Sequence, residues 1–155
     1  MRRSLGPFLA VLAACTPATS RPAFLPYPQA LAGVVATRPA RIVPELAGWL
    51  MSEGLKIEWA SPLDGFVETA WFNTRTRQSS IGTGDPGDLQ GTIKIRCWAD
   101  PGPPGKTQVT VEAVYRPMLD PSRMERDLEV IVPEGSDGYR IAEQLLEAMQ
   151  QRFGA

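Results

Sequence analysis

The alternation of apolar and polar residues changes period several times along the chain, and each change marks an element. Over residues 39–53, Ile42, Leu46, Trp49 and Leu50 recur at three- and four-residue steps, the stripe of a surface helix that Gly54 stops. Pro44 suits only a first turn, so the regular helix is expected to begin near Val43. From Leu55 the period becomes two: Leu55, Ile57 and Trp59 alternate with Lys56 and Glu58, the pattern of a half-buried strand. Further strands are expected over residues 66–76, 89–98 and 108–116, with a short fifth over 128–132. Residues 34–37 fit a short leading strand. Gly, Pro, Ser and Asp collect between these runs, at 61–65, 78–88 and 100–106, and read as turns and loops. A last helix over 137–153 has Ile141, Leu145, Met149 and Phe153 four apart, with Ser136 or Asp137 as its cap.

A helix, an antiparallel meander of four to five strands and a second helix, each with one apolar face, fit best as an α+β two-layer sandwich. Both helices then lie on one face of the sheet. Within it, Ile93, Ile95 and Cys97 share the helix-facing side, while Thr92, Lys94 and Arg96 point away. A row of cations there could bind an acidic partner or a lipid headgroup, but the favoured reading is that they balance Glu58, Glu68 and Glu112 across neighbouring strands. Cys97 reads as a small buried apolar residue. Trp71 and Phe72 are adjacent on one strand and must point to opposite faces, so at most one meets the helices. The other is either partly exposed or covered by a loop, which makes this pair the candidate contact for a partner.

The first 33 residues have a different character. Met1-Arg2-Arg3 is basic, residues 5–14 are apolar, and Leu12-Ala13-Ala14-Cys15 places small residues before a cysteine. A basic start, a short apolar run and small residues at a cleavage point make a secretory signal. The run of about ten residues is too short to cross a bilayer as a helix. With cysteine next, the segment resembles the lipobox of bacterial lipoproteins. That resemblance implies cleavage after residue 14 and a lipid on Cys15. The same resemblance implies, from Thr16 where inner-membrane lipoproteins carry Asp, the periplasmic face of the outer membrane rather than the inner membrane. The domain plan is therefore a signal peptide over 1–14, the lipidated cysteine with a Pro-rich tether over 15–33, and one α+β domain over 34–155. Four prolines in the tether favour an extended spacer. Phe24, Leu25 and Tyr27 are apolar for that role and could dock on the domain or on a partner.

Composition narrows the chemistry. The chain has 155 residues, 16 Lys+Arg against 17 Asp+Glu, no His and 2 Cys. Without histidine there is no His-based triad, and two cysteines are too few for a zinc or iron–sulfur ligand set. The balanced charge gives no footprint for nucleic acid. Gly82-Thr83-Gly84-Asp85-Pro86-Gly87 has the spacing of a nucleotide loop but joins two strands, the wrong context. Asp64, Glu68, Asp85 and Asp88 read as a solvated rim. No catalytic residues, metal ligands or cofactor are expected.

The segments Gly54-Leu55-Lys56-Ile57-Glu58-Trp59 and Asp64-Gly65-Phe66-Val67-Glu68-Thr69-Ala70-Trp71-Phe72 resemble small bacterial envelope lipoproteins. Their order is similar to the repeated domain of the component C lipoproteins of the outer-membrane β-barrel assembly machinery, over about residues 34–155. The resemblance implies a helix-grip α+β fold and a non-enzymatic accessory at the periplasmic face, held by its lipid and in contact with an envelope protein. The other reading is a carrier that holds an apolar ligand between the helices and the sheet.

Overall fold

The computed structural model describes residue 19, residues 21–80 and residues 87–155. Along the chain run β1 (Leu31–Val35), α1 (Pro39–Ser52), β2 (Ile57–Ser61), β3 (Phe66–Thr69), β4 (Trp71–Asn73), β5 (Gln78–Ser80), β6 (Thr92–Pro101) and β7 (Thr107–Tyr115). The short helix α2 (Glu125–Leu128), β8 (Val130–Ile131) and α3 (Asp137–Phe153) complete it. The class is α+β, with an open, wholly antiparallel sheet.

The sheet has eight strands, more than the four or five the sequence suggests. The difference lies in interruptions. Strands β3 and β4 both pair with β6, β2 and β5 pair with β3 and β4 in turn, and β1 and β8 both pair with β7. Eight short strands thus lie in five columns. The expected strand over 66–76 breaks at Ala70, where Glu68 opposes Arg96 but Phe72 opposes Ile93. Four steps on one strand face three on the other, so one residue is extra and the side-chain alternation slips. Val67 lies on the helix side before the break and Phe72 after it. Thr69 fills the disturbed ladder, its Oγ1 accepting from the Ile95 amide at 3.0 Å.

A second slip separates Ile57, opposite Thr69, from Trp59, opposite Glu68. It overturns the simple alternation. Ile57 packs on the core, while Trp59 shares the side of Glu68 and is 51% exposed.

Helix α1 starts at Pro39 and carries Pro44 inside it, ahead of the expected start near Val43. Pro39 needs no amide partner at a first position. Pro44 and Ala40, whose carbonyl loses its helical donor to the proline, both lie on the exposed side of the helix. Strand β1 starts three residues before the expected position, where it can pair with β7 from Leu31↔Val111 to Val35↔Thr107. In α3, Ser136 Oγ accepts from the Tyr139 amide at 3.2 Å and caps the helix.

One apolar cluster joins α1 (Ile42, Val43, Leu46, Leu50) and α3 (Ile141, Leu145, Met149) to Ile93, Ile95, Cys97, Val109 and Val111 of the sheet. Cys97 is fully buried there, and burial pushes its thiol pKa far up, with Glu112 adding to the effect. The thiolate is therefore suppressed. No described helix is long and apolar enough to cross a membrane.

Candidate functional site

The sheet face away from α1 and α3 is built from charges, and most of them are buried. Lys94, Arg96 and Glu112 stand at alternate positions of β6 and β7, and register sets Arg96 directly opposite Glu112 and Glu68. The α2–β8 segment then lays Glu125, Arg126 and Glu129 over them.

Arg96 is the hub. Its Nε donates to Glu68, its Nη1 to Glu112 at 3.1 Å and Glu129 at 2.7 Å, and its Nη2 to Glu129 at 2.6 Å. Arg126 Nη1 reaches Glu112 at 2.6 Å and Glu129 at 3.1 Å. Lys94 Nζ lies 3.2 Å from Glu58, 3.5 Å from Glu68 and 3.7 Å from Glu125. Burial by itself would raise the Glu129 pKa, but bonding and attraction from Arg96 and then Arg126 outweigh it and hold the carboxyl below its usual range. Burial would likewise discharge Arg96, and Glu129 and Glu68 reverse that. The expected balance of Lys94 and Arg96 against Glu58, Glu68 and Glu112 is thus what the structure contains, enlarged by three residues from beyond the sheet.

Residues 21–30 run along this face as a strap. The Tyr27 amide donates to Glu112 Oε2 at 2.9 Å, and the Tyr27 hydroxyl to the Glu129 carbonyl at 3.0 Å. Burial is the main reason the Tyr27 phenol pKa is raised. The Phe24 ring lies 4.2 Å from the Arg126 guanidinium and 5.1 Å from that of Arg96, and meets Trp98 edge-on at 6.5 Å. Arg21 forms a two-toothed pair with Asp100 at 2.7 and 3.0 Å, and Thr19 Oγ1 donates to Asp64 at 3.0 Å. The Pro-rich segment expected as a spacer is docked, and Phe24 and Tyr27 dock it. Leu25 remains outside, largely exposed.

The structure places Trp71 and Phe72 on opposite faces, both buried. Phe72 belongs to the core cluster. Trp71, 2% exposed, takes the covered alternative: its Nε1 donates to Glu125 Oε1 at 2.7 Å and Arg116 stacks on its ring at 4.2 Å. Neither presents a surface to a partner. Among the described residues the exposed large aromatic is Trp59. It borders an open groove of about 450 Å³ along this face, with Met124, 74% exposed, also on its lining. Arg96, Glu68 and Glu129 form part of that lining, already paired with one another.

A second cleft, of about 350 Å³, lies between α3 and the sheet. Tyr139, Ala142, Val111, Ala113, Leu31 and Val132 line it, where the edge column passes from β1 to β8.

Cys15 and the Gly82–Pro86 stretch of the glycine-rich loop lie outside the described residues. Of the rim carboxylates, Asp64 bonds Thr19 and Ser61, Asp88 pairs with Arg75, and Glu68 belongs to the hub, while Asp85 falls outside the described residues. Among the described residues, no group of His, Cys, Asp and Glu is placed to hold a metal ion.

Sequence reasoning missed Trp59, Met124, Arg126 and Glu129. Trp59 was hidden by a register slip. The charged run Glu125-Arg126-Asp127-Leu128-Glu129 was a signal, since Arg126 and Glu129 are spaced to pair on one turn. No family model matches the chain, and no curated protein matches it significantly.

Proposed function

We propose that the protein is a lipid-anchored, non-enzymatic interaction module of the cell envelope, held by Cys15 at the periplasmic face of the outer membrane. The observation that carries the interaction reading is the exposed pair Trp59 and Met124 on the lining of the groove. Tryptophan is enriched among residues that dominate binding energy, and methionine adapts to varied surfaces. The groove floor is already paired, so a partner gains from covering the two apolar side chains and not from competing for buried charge. The anchor reading rests on the run from Met1 to Cys15, and assembly of outer-membrane proteins is the setting that the resemblance supports.

The test is affinity purification in mild detergent from the native membranes, with co-purifying proteins identified by mass spectrometry. The wild type is expected to bring down an envelope protein in stoichiometric amount. Cys15→Ser is expected to leave the membrane fraction, and Trp59→Ala with Met124→Ser to lose the partner while keeping the anchor. A wild-type protein that is membrane-bound but comes down alone overturns the interaction reading.

A carrier function has its own supporting observation, the apolar cleft between α3 and β7. Extraction of the purified protein would then yield a bound lipid or other apolar compound, and Ala142→Trp would abolish it. An empty extract removes this reading.

A further inference from the structure

We propose that the β2–β3 turn, residues 62–65, is seated in the headgroup layer of the membrane that carries the Cys15 lipid. The inference rests on the anchor reading above and adds which end of the domain faces the bilayer.

The start of the strap is fixed to this turn. Thr19 Oγ1 donates to Asp64 Oδ1 at 3.0 Å, Arg21 Nη1 approaches the Asp64 carbonyl at 3.5 Å, and Arg21 also pairs with Asp100 at the end of β6. From Thr19 back to Cys15 is four residues, which span about 14 Å at full extension. A domain of this size has a radius of gyration of about 14 Å. The end bearing the turn is therefore held within about 14 Å of the bilayer, whereas the anchor puts no such limit on the opposite end of the sheet. One leaflet's headgroup layer is about 5–8 Å thick.

The surface at this end suits that layer. Leu63 is 98% exposed at the tip of the turn. An isolated exposed leucine needs no explanation, but this one has Pro62 beside it, and Pro101, Pro103 and Pro104 are exposed in and next to the adjacent β6–β7 turn. Proline has no amide hydrogen, so these turns carry few donors to strip of water on entering an interface. Arg38, exposed, lines the same hollow as Leu63 and Pro101 and supplies a cation for lipid phosphates.

The test uses the mature lipidated protein, residues 15–155, reconstituted in vesicles of phosphatidylethanolamine and phosphatidylglycerol. A fluorophore is placed on Leu63→Cys or, beyond the opposite end of β7, on Ser122→Cys. Both positions are exposed, so neither label perturbs the core. Cys97 is buried and the Cys15 sulfur is occupied by lipid. Lipid-borne quenchers are expected to reduce emission at position 63 at least twofold and to leave position 122 unchanged. Thr19→Ala with Arg21→Ala, which frees the strap from the turn, is expected to bring position 63 back to the level of 122. Equal quenching at the two positions overturns the seating. So does shielding of position 63 from aqueous iodide without quenching from the lipid, because the occupant is then a protein. Incorporation of radiolabelled palmitate at Cys15, measured in parallel, separates the two failures. Without incorporation the anchor reading falls and the seating with it; with incorporation and an unquenched position 63, only the seating falls.

Discussion

At the residue scale, the unusual group is Glu112, a carboxylate with no exposed surface in the middle of a strand. It tolerates that place because Arg96, Arg126 and the Tyr27 amide all donate to it. A buried ion pair adds little net stability over an apolar replacement, but breaking one side leaves a charge stranded. Arg96→Met should therefore destabilise the domain by about 3–5 kcal/mol, read from urea denaturation. Replacing Arg96, Glu112 and Glu129 together with apolar residues of similar size should recover most of that loss. The same group sets an acid response. The folded state holds Glu129 below its ordinary pKa. Its contribution is then complete above the unfolded glutamate value of about 4.3 and is lost as pH falls through the lower folded value. The melting temperature should drop on acidification below that point, and Glu129→Gln should flatten the drop.

At the element scale, the helices and the apolar phase of β6 and β7 were legible because each keeps one period over many residues. The strands around Trp59 and Trp71 were not. A register slip is set by how two strands pair, through Thr69 at the Ile95 amide and the one-residue excess at Ala70, and nothing in the local alternation marks it. The paired cations were readable because Lys94, Arg96, Glu68 and Glu112 fall in phase. The contribution of α2 was not, since a single turn has too few residues to show a period. Helix α1 also carries a removable weakness. Gly48 lies on its exposed side, and an added Cβ there meets nothing within 4 Å. Gly48→Ala should raise stability by about 0.5–1 kcal/mol, through the lower backbone entropy of the unfolded chain. Gly65→Ala should do the reverse, because its φ is +64° and its Cβ would sit 2.3 Å from the Ala99 carbonyl oxygen. Denaturant midpoints of the two variants should move in opposite directions.

At the scale of the whole molecule, the strap joins the N-terminal segment to the charged face and completes the pairing of Glu112 and Glu129. Phe24→Ala removes the ring that lies against the Arg126 and Arg96 guanidinium groups and should loosen residues 21–30. Amide hydrogen exchange at Tyr27, whose N–H donates to Glu112, should then run several times faster than in the wild type, while the amides of β6 and β7 keep their protection.

The strap's partners also fix an order of events. Tyr27 bonds Glu112 and Glu129, 85 and 102 residues further along, and Arg126 reaches back to the Leu25 carbonyl across 101 residues. Loops of that length close late, after local structure has formed. In a chain that emerges from its N-terminus, the residues ahead of β1 have no docking site until almost the whole domain has followed them. The end of the chain that is made first is the last to be settled, and throughout that interval it stays open to any enzyme that would process it.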